Sequence, residues 1–153
     1  MRPRFTSHLL TVLDWVFRLV VAAFFLLAAV PKLLEPMTFA KAIANYRLTM
    51  PLIGQGYIYP VAAFMPALES VGALGLIFNR SRRAASIVVG GLLLLFTVLV
   101  LQAMLRGLNI DCGCYGAGPV GQALAQKVGL DKILENVVML GMCAFVWWKA
   151  KKE

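Results

Sequence analysis

Four long apolar segments restrict the fold of this chain more than any other feature of its sequence. An α-helix rises 1.5 Å per residue, so about 17 to 25 apolar residues are needed to cross the hydrocarbon core of a bilayer. Each segment has a length in that range, and a charged fraction of 14% is too low for a soluble domain of this size. We therefore predict an all-α fold, a four-helix transmembrane bundle, in which residues 1–153 form a single integral membrane domain. The predicted spans are about 15–34, 58–78, 84–105 and 132–148.

The distribution of positive charge predicts how the bundle is oriented. Four spans place both termini on one side, together with the short loop between the second and third spans. Lysine and arginine lie close to the span ends on that side, whereas the opposite side carries them over two much longer loops. The positive-inside rule then predicts cytoplasmic N and C termini and extracytoplasmic loops at 35–57 and 106–131, in a multi-pass membrane protein. The clustered residues are Arg2, Arg4, Arg80, Arg82, Arg83, Lys149, Lys151 and Lys152.

The first apolar segment and the net charge each have a second interpretation. A basic leader followed by an apolar run is also typical of a signal peptide, but Arg18 lies inside this run and no small-x-small cleavage site follows, which favours an uncleaved span. A net charge of +8 would suit nucleic-acid binding in a soluble protein, but here the basic residues lie at the ends of apolar runs. We therefore expect the lipid bilayer as a partner, and no nucleic acid.

A hexapeptide just beyond the third span carries the chemistry, with the sequence Asp111-Cys112-Gly113-Cys114-Tyr115-Gly116. A structural cysteine normally lies within an apolar pattern, as the third cysteine, Cys143, does. Cys112 and Cys114 lie instead among polar residues and glycines, so we expect them to be accessible to a partner, a metal or an oxidant. On the predicted extracytoplasmic side, thiols are oxidised and disulfides persist.

Three interpretations of the cysteine pair are open at this point. In a redox pair, one thiolate takes part in a mixed disulfide with a partner and the neighbouring cysteine resolves it. In a permanent disulfide, the pair only fixes the loop, although a ring closed over a single residue removes little chain entropy. A metal site would have the two thiolates and Asp111, an incomplete ligand set with no histidine nearby, so we predict no metal. The redox interpretation is favoured.

Three charged residues outside the hexapeptide are candidate supporting residues. Glu69 lies near the middle of the second span, on the same helix face as small residues, so we expect it to point into the bundle. It acts either as a proton acceptor or contact for a quinone, or as the partner of Arg18 or Lys32 in an interhelical ion pair. Lys32 and Arg106 are predicted at the same face of the membrane as the cysteines, where a cation raises the thiolate fraction. Both also suit interfacial anchors.

The hexapeptide gives the chain a family resemblance. Arg106-Gly107 followed by Cys-Gly-Cys, an aromatic residue and Gly resembles the signature of the MauE branch of the DoxX-like membrane proteins. Two departures are visible: Tyr115 stands where Phe is usual, and Glu135-Asn136 stands where Arg-Asn is expected. Further matching positions lie in and after the first two spans, at Lys32-Leu33, Pro36, Phe39, Tyr46, Pro51, Pro66 and Leu68-Glu69.

The resemblance implies a four-helix, multi-pass protein of the bacterial cytoplasmic (inner) membrane. It also implies a redox-associated accessory role beside a thioredoxin-like partner, as in the maturation of methylamine dehydrogenase. We therefore predict a membrane thiol-disulfide redox protein, a quinone-linked oxidoreductase if it is an enzyme. Cys112 and Cys114 would exchange electrons with an extracytoplasmic thioredoxin-like protein or client, and no cofactor would be bound covalently. Because the chain has one usable pair, it needs as electron acceptor either an oxidant dissolved in the bilayer, with a quinone as the candidate, or a second protein. The alternatives are a non-catalytic membrane assembly or scaffold subunit with a structural disulfide, and a small transport or metal-delivery protein.

Overall fold

The computed structural model describes residues 4–47, 56–108 and 129–152, with the side chains of the first helix described from His8 onward. In these ranges the chain forms helices and no β-strand. Four of the helices are long and apolar enough to cross a membrane, which confirms the predicted all-α fold with four spans. The helices are α1 (Arg4–Leu34), α2 (Pro36–Asn45), α3 (Ile58–Ile77), α4 (Arg82–Leu105) and α5 (Leu130–Lys152). The first begins well before residue 15, where its span was predicted to start.

The four long helices form a closed ring around an apolar core. Helix α1 packs mainly on α3 and α4 mainly on α5, and contacts from α3 to α4 and from α1 to α5 complete the ring. The outward faces carry exposed leucine, valine, isoleucine and phenylalanine side chains, as expected for helices surrounded by lipid. The core consists of Val21, Ala22, Phe25, Ala73, Leu76, Ala85, Val89, Leu92, Leu93, Met139, Cys143 and Val146.

Small residues on α3 bring it close to its neighbours, as the sequence predicted. Ala62, Pro66, Glu69 and Ala73 are buried along one face, with Gly72 beside them. A Cβ atom added at Gly72 would lie 2.9 Å from Cγ2 of Val89 on α4, which is closer than real Cβ atoms approach. The glycine is therefore required by the close approach of the two helices.

A proline breaks the chain between α1 and α2. The residue before a proline is disfavoured in the helical region, and Glu35, which precedes Pro36, has a φ of −128° and a ψ of 67°. Pro36 then occupies the first turn of α2, where its missing N–H costs nothing. The apolar face of α2 packs on α3, where Phe39 and Ala40 meet Ile58 and Ala62. Helix α2 therefore lies over the first turns of α3.

A cluster of charged residues at the opposite end of the bundle joins the start of α1 to the end of α5. Asp14 lies 3.5 Å from Arg18, 3.2 Å from Arg82 and 3.8 Å from Lys149. Asp14 and Arg18 are four residues apart on α1, the spacing at which two side chains lie on the same face of a helix. Arg18 also donates hydrogen bonds to the main-chain oxygens of Leu76 and Ile77, so it satisfies carbonyls at the C-terminal end of α3.

Candidate functional site

The site is built on an ion pair buried between α1 and α3. The Nζ atom of Lys32 lies 2.8 Å from Oε1 and 3.0 Å from Oε2 of Glu69. Lys32 is 2% exposed and Glu69 is 0% exposed. Two aromatic rings complete the surroundings of the ammonium group, with centroids 4.9 Å away at Phe39 and 5.3 Å away at Phe96. Of the two donors that the sequence offered for Glu69, the structure selects Lys32, while Arg18 is used at the opposite end of the bundle.

The lengths of α1 and α3 bring these two charges to the same depth. Lys32 lies in the last turn of α1, two residues before the helix ends. Glu69 is the twelfth residue of α3, about 17 Å along that helix from Ile58. Because α1 ends beside the middle of α3, the first turns of α3 are covered by α2 instead, and Phe39 of α2 lies above the pair. The break at Pro36 is thus what closes the site from one end of the bundle.

Beside the ion pair lies a recess between α1, α4 and α5. The recess has a cavity volume of about 40 Å³, which is room for roughly three water molecules. Glu69 and Lys32 line one side, and the first turns of α5 provide further polar groups. The remaining wall is apolar and largely aromatic. The lining residues are Phe24, Phe25, Ala28, Lys32, Glu69, Leu93, Phe96, Lys132, Glu135, Asn136 and Met139.

Helix α5 contributes three polar side chains to this recess. Lys132 is buried, and its Nζ lies 3.0 Å from Oε1 of Glu135. Asn136, one helical turn beyond Lys132, is 3% exposed, and its Nδ2 atom has no hydrogen-bond partner among the described residues. Leaving a buried amide donor without a partner costs about 1 to 3 kcal/mol. The recess is therefore lined by two buried lysines, two residues with carboxylates, and an asparagine whose amide nitrogen has no hydrogen-bond partner among the described residues.

Arg106 stands apart from the ion pair. Its Nη1 atom donates to the main-chain oxygens of Tyr46 and Arg47, both at 3.2 Å. Arg47 has a φ of 48°, which prevents α2 from continuing, and Arg106 donates to carbonyls at this helix terminus. Burial raises the pKa of the Tyr46 phenol to about 12. Arg106 thus ties the end of α4 to the end of α2.

The predicted site residues therefore fall into three groups. Lys32 and Glu69 are in direct contact, and Arg106 lies on the α2 terminus. Cys112 and Cys114, with Asp111 and Tyr115, lie outside the described residues. Within the described ranges, no group of three or more His, Cys, Asp or Glu side chains is placed to hold a metal ion.

Sequence reasoning did not predict that Lys132 and Asn136 belong to the site. The signal was present, because residues 132, 136, 139 and 143 follow the spacing of one helix face, and the structure buries all four. Asn136 had been noted only because Glu135 precedes it where an arginine was expected. This face begins with two polar residues, Lys132 and Asn136, whereas a helix face that packs only in an apolar core would carry apolar residues throughout.

Comparison with known proteins gives a consistent result over most of the chain. The family model described as "Methylamine utilisation protein MauE" matches residues 10–149. The proteins named methylamine utilization protein MauE of Paracoccus denitrificans and of Methylophilus methylotrophus are each 30% identical to this chain over 129 residues. Each alignment covers 84% of this chain and 64% of the relative, so the chain spans slightly less than two thirds of the length of these relatives. No solved structure matches the chain significantly.

Proposed function

This chain belongs to the MauE family, and from that premise we propose that it is a membrane thiol–disulfide redox protein. Cys112 and Cys114 exchange electrons with an extracytoplasmic thioredoxin-like protein or client, during disulfide formation in that partner or its maturation. The observation that carries the proposal is the Cys-Gly-Cys sequence between α4 and α5 in a member of this family. The relatives are named for methylamine utilisation, and maturation of an enzyme in such a system is one setting for this exchange.

The proposed exchange balances as two thiol–disulfide steps. A thiolate of the partner attacks the Cys112–Cys114 disulfide, so one sulfur of the pair enters a mixed disulfide and the other leaves as a thiolate. A second thiolate of the partner then attacks the mixed disulfide, which leaves the partner oxidised and the pair reduced. The pair now holds the two electrons that the partner lost. A quinone dissolved in the bilayer takes them, because the chain has no second usable pair of cysteines.

Positively charged residues lie in the sequence on both sides of residues 111–116, which we call the cysteine segment, and they support the reactivity of its thiols. Arg106 comes six residues before Cys112, and Lys132 comes 18 residues after Cys114. A nearby cation lowers the pKa of a cysteine and raises its thiolate fraction. Lys32 lines the same recess as Lys132. Its ion pair with Glu69 holds the C-terminal end of α1 against α3. These side chains are proposed to support the reaction without forming bonds to sulfur.

The charge distribution supports an extracytoplasmic position for the cysteine segment. The start of α1, the turn between α3 and α4 and the end of α5 meet at one end of the bundle, where Asp14 contacts Arg82 and Lys149. Lys151 and Lys152 follow at the end of α5. Under the positive-inside rule this end is cytoplasmic. The cysteine segment connects the opposite ends of α4 and α5, so it faces the outside of the bacterial inner membrane.

Trapping a mixed disulfide tests this function. Cys112→Ser and Cys114→Ser each keep one thiol of the pair. In the reverse of the exchange, the remaining thiolate attacks the disulfide of the oxidised partner, and the missing cysteine can no longer release the resulting mixed disulfide. The variant that keeps the exchanging sulfur should therefore accumulate a covalent adduct with the partner that a reductant dissolves. The adduct would be detected on non-reducing gels of membranes and identified by mass spectrometry. Cys143→Ser is the matched control, because Cys143 is buried in the core and its loss should leave exchange by the pair unchanged.

The scaffold alternative predicts a different outcome for the same variants. If the disulfide only stabilises the chain, neither single variant forms a reducible adduct, and both show the same loss of stability. Metal delivery would instead be revealed by stoichiometric metal binding that is lost in Cys112→Ser. Absence of an adduct from both variants, under conditions in which the partner's own thiols can be labelled, would contradict the exchange reaction.

A further inference from the structure

The recess beside the ion pair has the shape and polarity of a site for an amphipathic molecule from the membrane. Phe24 is 37% exposed on α1, and on a membrane-spanning helix such a side chain faces lipid, so the mouth of the recess opens toward the hydrocarbon. Phe25, Ala28, Phe96 and Met139 form apolar walls.

Polar groups are confined to the floor of the recess. Glu69 is engaged with Lys32 through both of its oxygens, and Lys132 donates to Glu135. Asn136 differs from these, because it lines the recess and its buried Nδ2 atom has no hydrogen-bond partner in the described part of the chain. A buried amide N–H is a donor only, so it selects an acceptor atom such as a carbonyl oxygen. The nearby ammonium groups add positive potential, which favours an acceptor that gains negative charge.

We propose that this recess binds the head group of a membrane quinone, with Asn136 Nδ2 donating a hydrogen bond to one quinone carbonyl oxygen. A quinone ring is flat and apolar on its faces, which suits walls formed by phenylalanine side chains. Its hydrocarbon tail leaves through the mouth beside Phe24 into the bilayer. Asn136 is a binding residue in this assignment, and the Lys32–Glu69 pair is a positioning element that fixes the floor.

The inference rests on the proposed function, since it gives the cysteine pair its electron acceptor. The thiols of Cys112 and Cys114 lose two electrons and two protons as their sulfurs join in a disulfide. The quinone gains two electrons and two protons and becomes a hydroquinone, so the step is balanced without a further reactant. Lys132 belongs to the first turn of α5, which begins at Leu130, 16 residues after Cys114. The recess is therefore connected through α5 to the segment that supplies the electrons.

Binding of decylubiquinone to the purified chain in lipid nanodiscs tests the assignment. Asn136→Leu removes the donor and Ala28→Leu narrows the recess from α1, so each should raise the Kd about fivefold or more. Thr97→Val is the matched control, because Thr97 is adjacent to Phe96 but does not line the recess, and its hydroxyl donates to the main-chain oxygen of Leu93 on its own helix. Its Kd should equal that of the unmodified chain. A photoreactive azidoquinone should label peptides of α1, α4 and α5 around the recess.

Two results would overturn the assignment. One is no saturable binding of decylubiquinone by the unmodified chain, and the other is an unchanged Kd in both Asn136→Leu and Ala28→Leu. Failure of the proposed function gives a different result, because that function is measured by the thiol–disulfide exchange of Cys112 and Cys114. If mass tagging shows that Cys112 and Cys114 still exchange with a dithiol while no quinone binds, only the quinone assignment is wrong. If quinone binds with the expected variant effects while the pair never exchanges, the redox function is wrong and the binding site remains.

Discussion

Replacing Glu69 with leucine is expected to destabilise the bundle far more than replacing both members of its ion pair. At 2.8 Å the gross attraction between the two charges is about 6 kcal/mol for an effective dielectric constant near 20. Removing each ion from water costs several kcal/mol, so the intact pair contributes little net stability. Glu69→Leu removes the attraction but leaves the Lys32 ammonium buried, which costs about 3 to 5 kcal/mol. The double variant Lys32→Met/Glu69→Leu buries no charge, so its free energy of unfolding should be close to that of the unmodified chain.

Thermal unfolding in detergent, followed by circular dichroism at 222 nm, measures this difference. For a domain of about 150 residues, 1 kcal/mol corresponds to a shift in Tm of about 2 to 4 °C, so Glu69→Leu should lower Tm by roughly 6 to 20 °C. Glu35→Leu is the matched control, because Glu35 is exposed and its loss should cost about 0.5 kcal/mol or less. The reasoning is refuted if the double variant is as unstable as Glu69→Leu, because the cost would then not come from an unpaired buried charge.

Three further predictions concern helix packing and the end of α2. Gly72→Ala should cost about 1 to 3 kcal/mol in thermal unfolding, since its new Cβ would lie 2.9 Å from Val89; an unchanged Tm would show that α3 and α4 can separate freely. Arg106→Leu should speed amide hydrogen exchange at the C-terminal turn of α2, because the carbonyls of Tyr46 and Arg47 lose their shared donor; equal exchange rates would contradict that role. Burial raises the pKa of Tyr46 to about 12, so the stability that its neutral phenol contributes is complete below pH 10 and is lost between about pH 10 and 12. A spectrophotometric titration at 295 nm follows the ionisation of tyrosine phenols. The phenol that ionises near pH 12 should be absent from the titration of Tyr46→Phe.

The fold was predictable because its main determinants are local in the sequence. Apolar segments of spanning length fix the number of long helices, and the small residues around Glu69 fix which face of α3 turns inward. The Asp14–Arg18 pair follows from helical spacing alone. None of these features depends on how one helix is placed against another.

The candidate site was predictable only in part, because it depends on the relative heights of the helices. The sequence could not choose between Arg18 and Lys32 as the partner of Glu69, since that choice follows from the point along α3 at which α1 ends. Arg18 donates hydrogen bonds to the main-chain oxygens of Leu76 and Ile77, and no residue pattern in the sequence predicts these bonds. Asn136 becomes notable only when α5 brings it beside Lys32 and Glu69 in one recess.

The redox behaviour of Cys112 and Cys114 in membranes is the most direct test of the proposed function. Thiol-specific mass tagging across a graded series of dithiol buffers gives the fraction of the pair that is oxidised at each potential, with Cys143→Ser removing the remaining thiol from the count. The account predicts reversible titration within roughly −120 to −270 mV, the range of thiol–disulfide exchange proteins. A pair that stays oxidised well below about −300 mV would be a structural disulfide, and that result would contradict the exchange function.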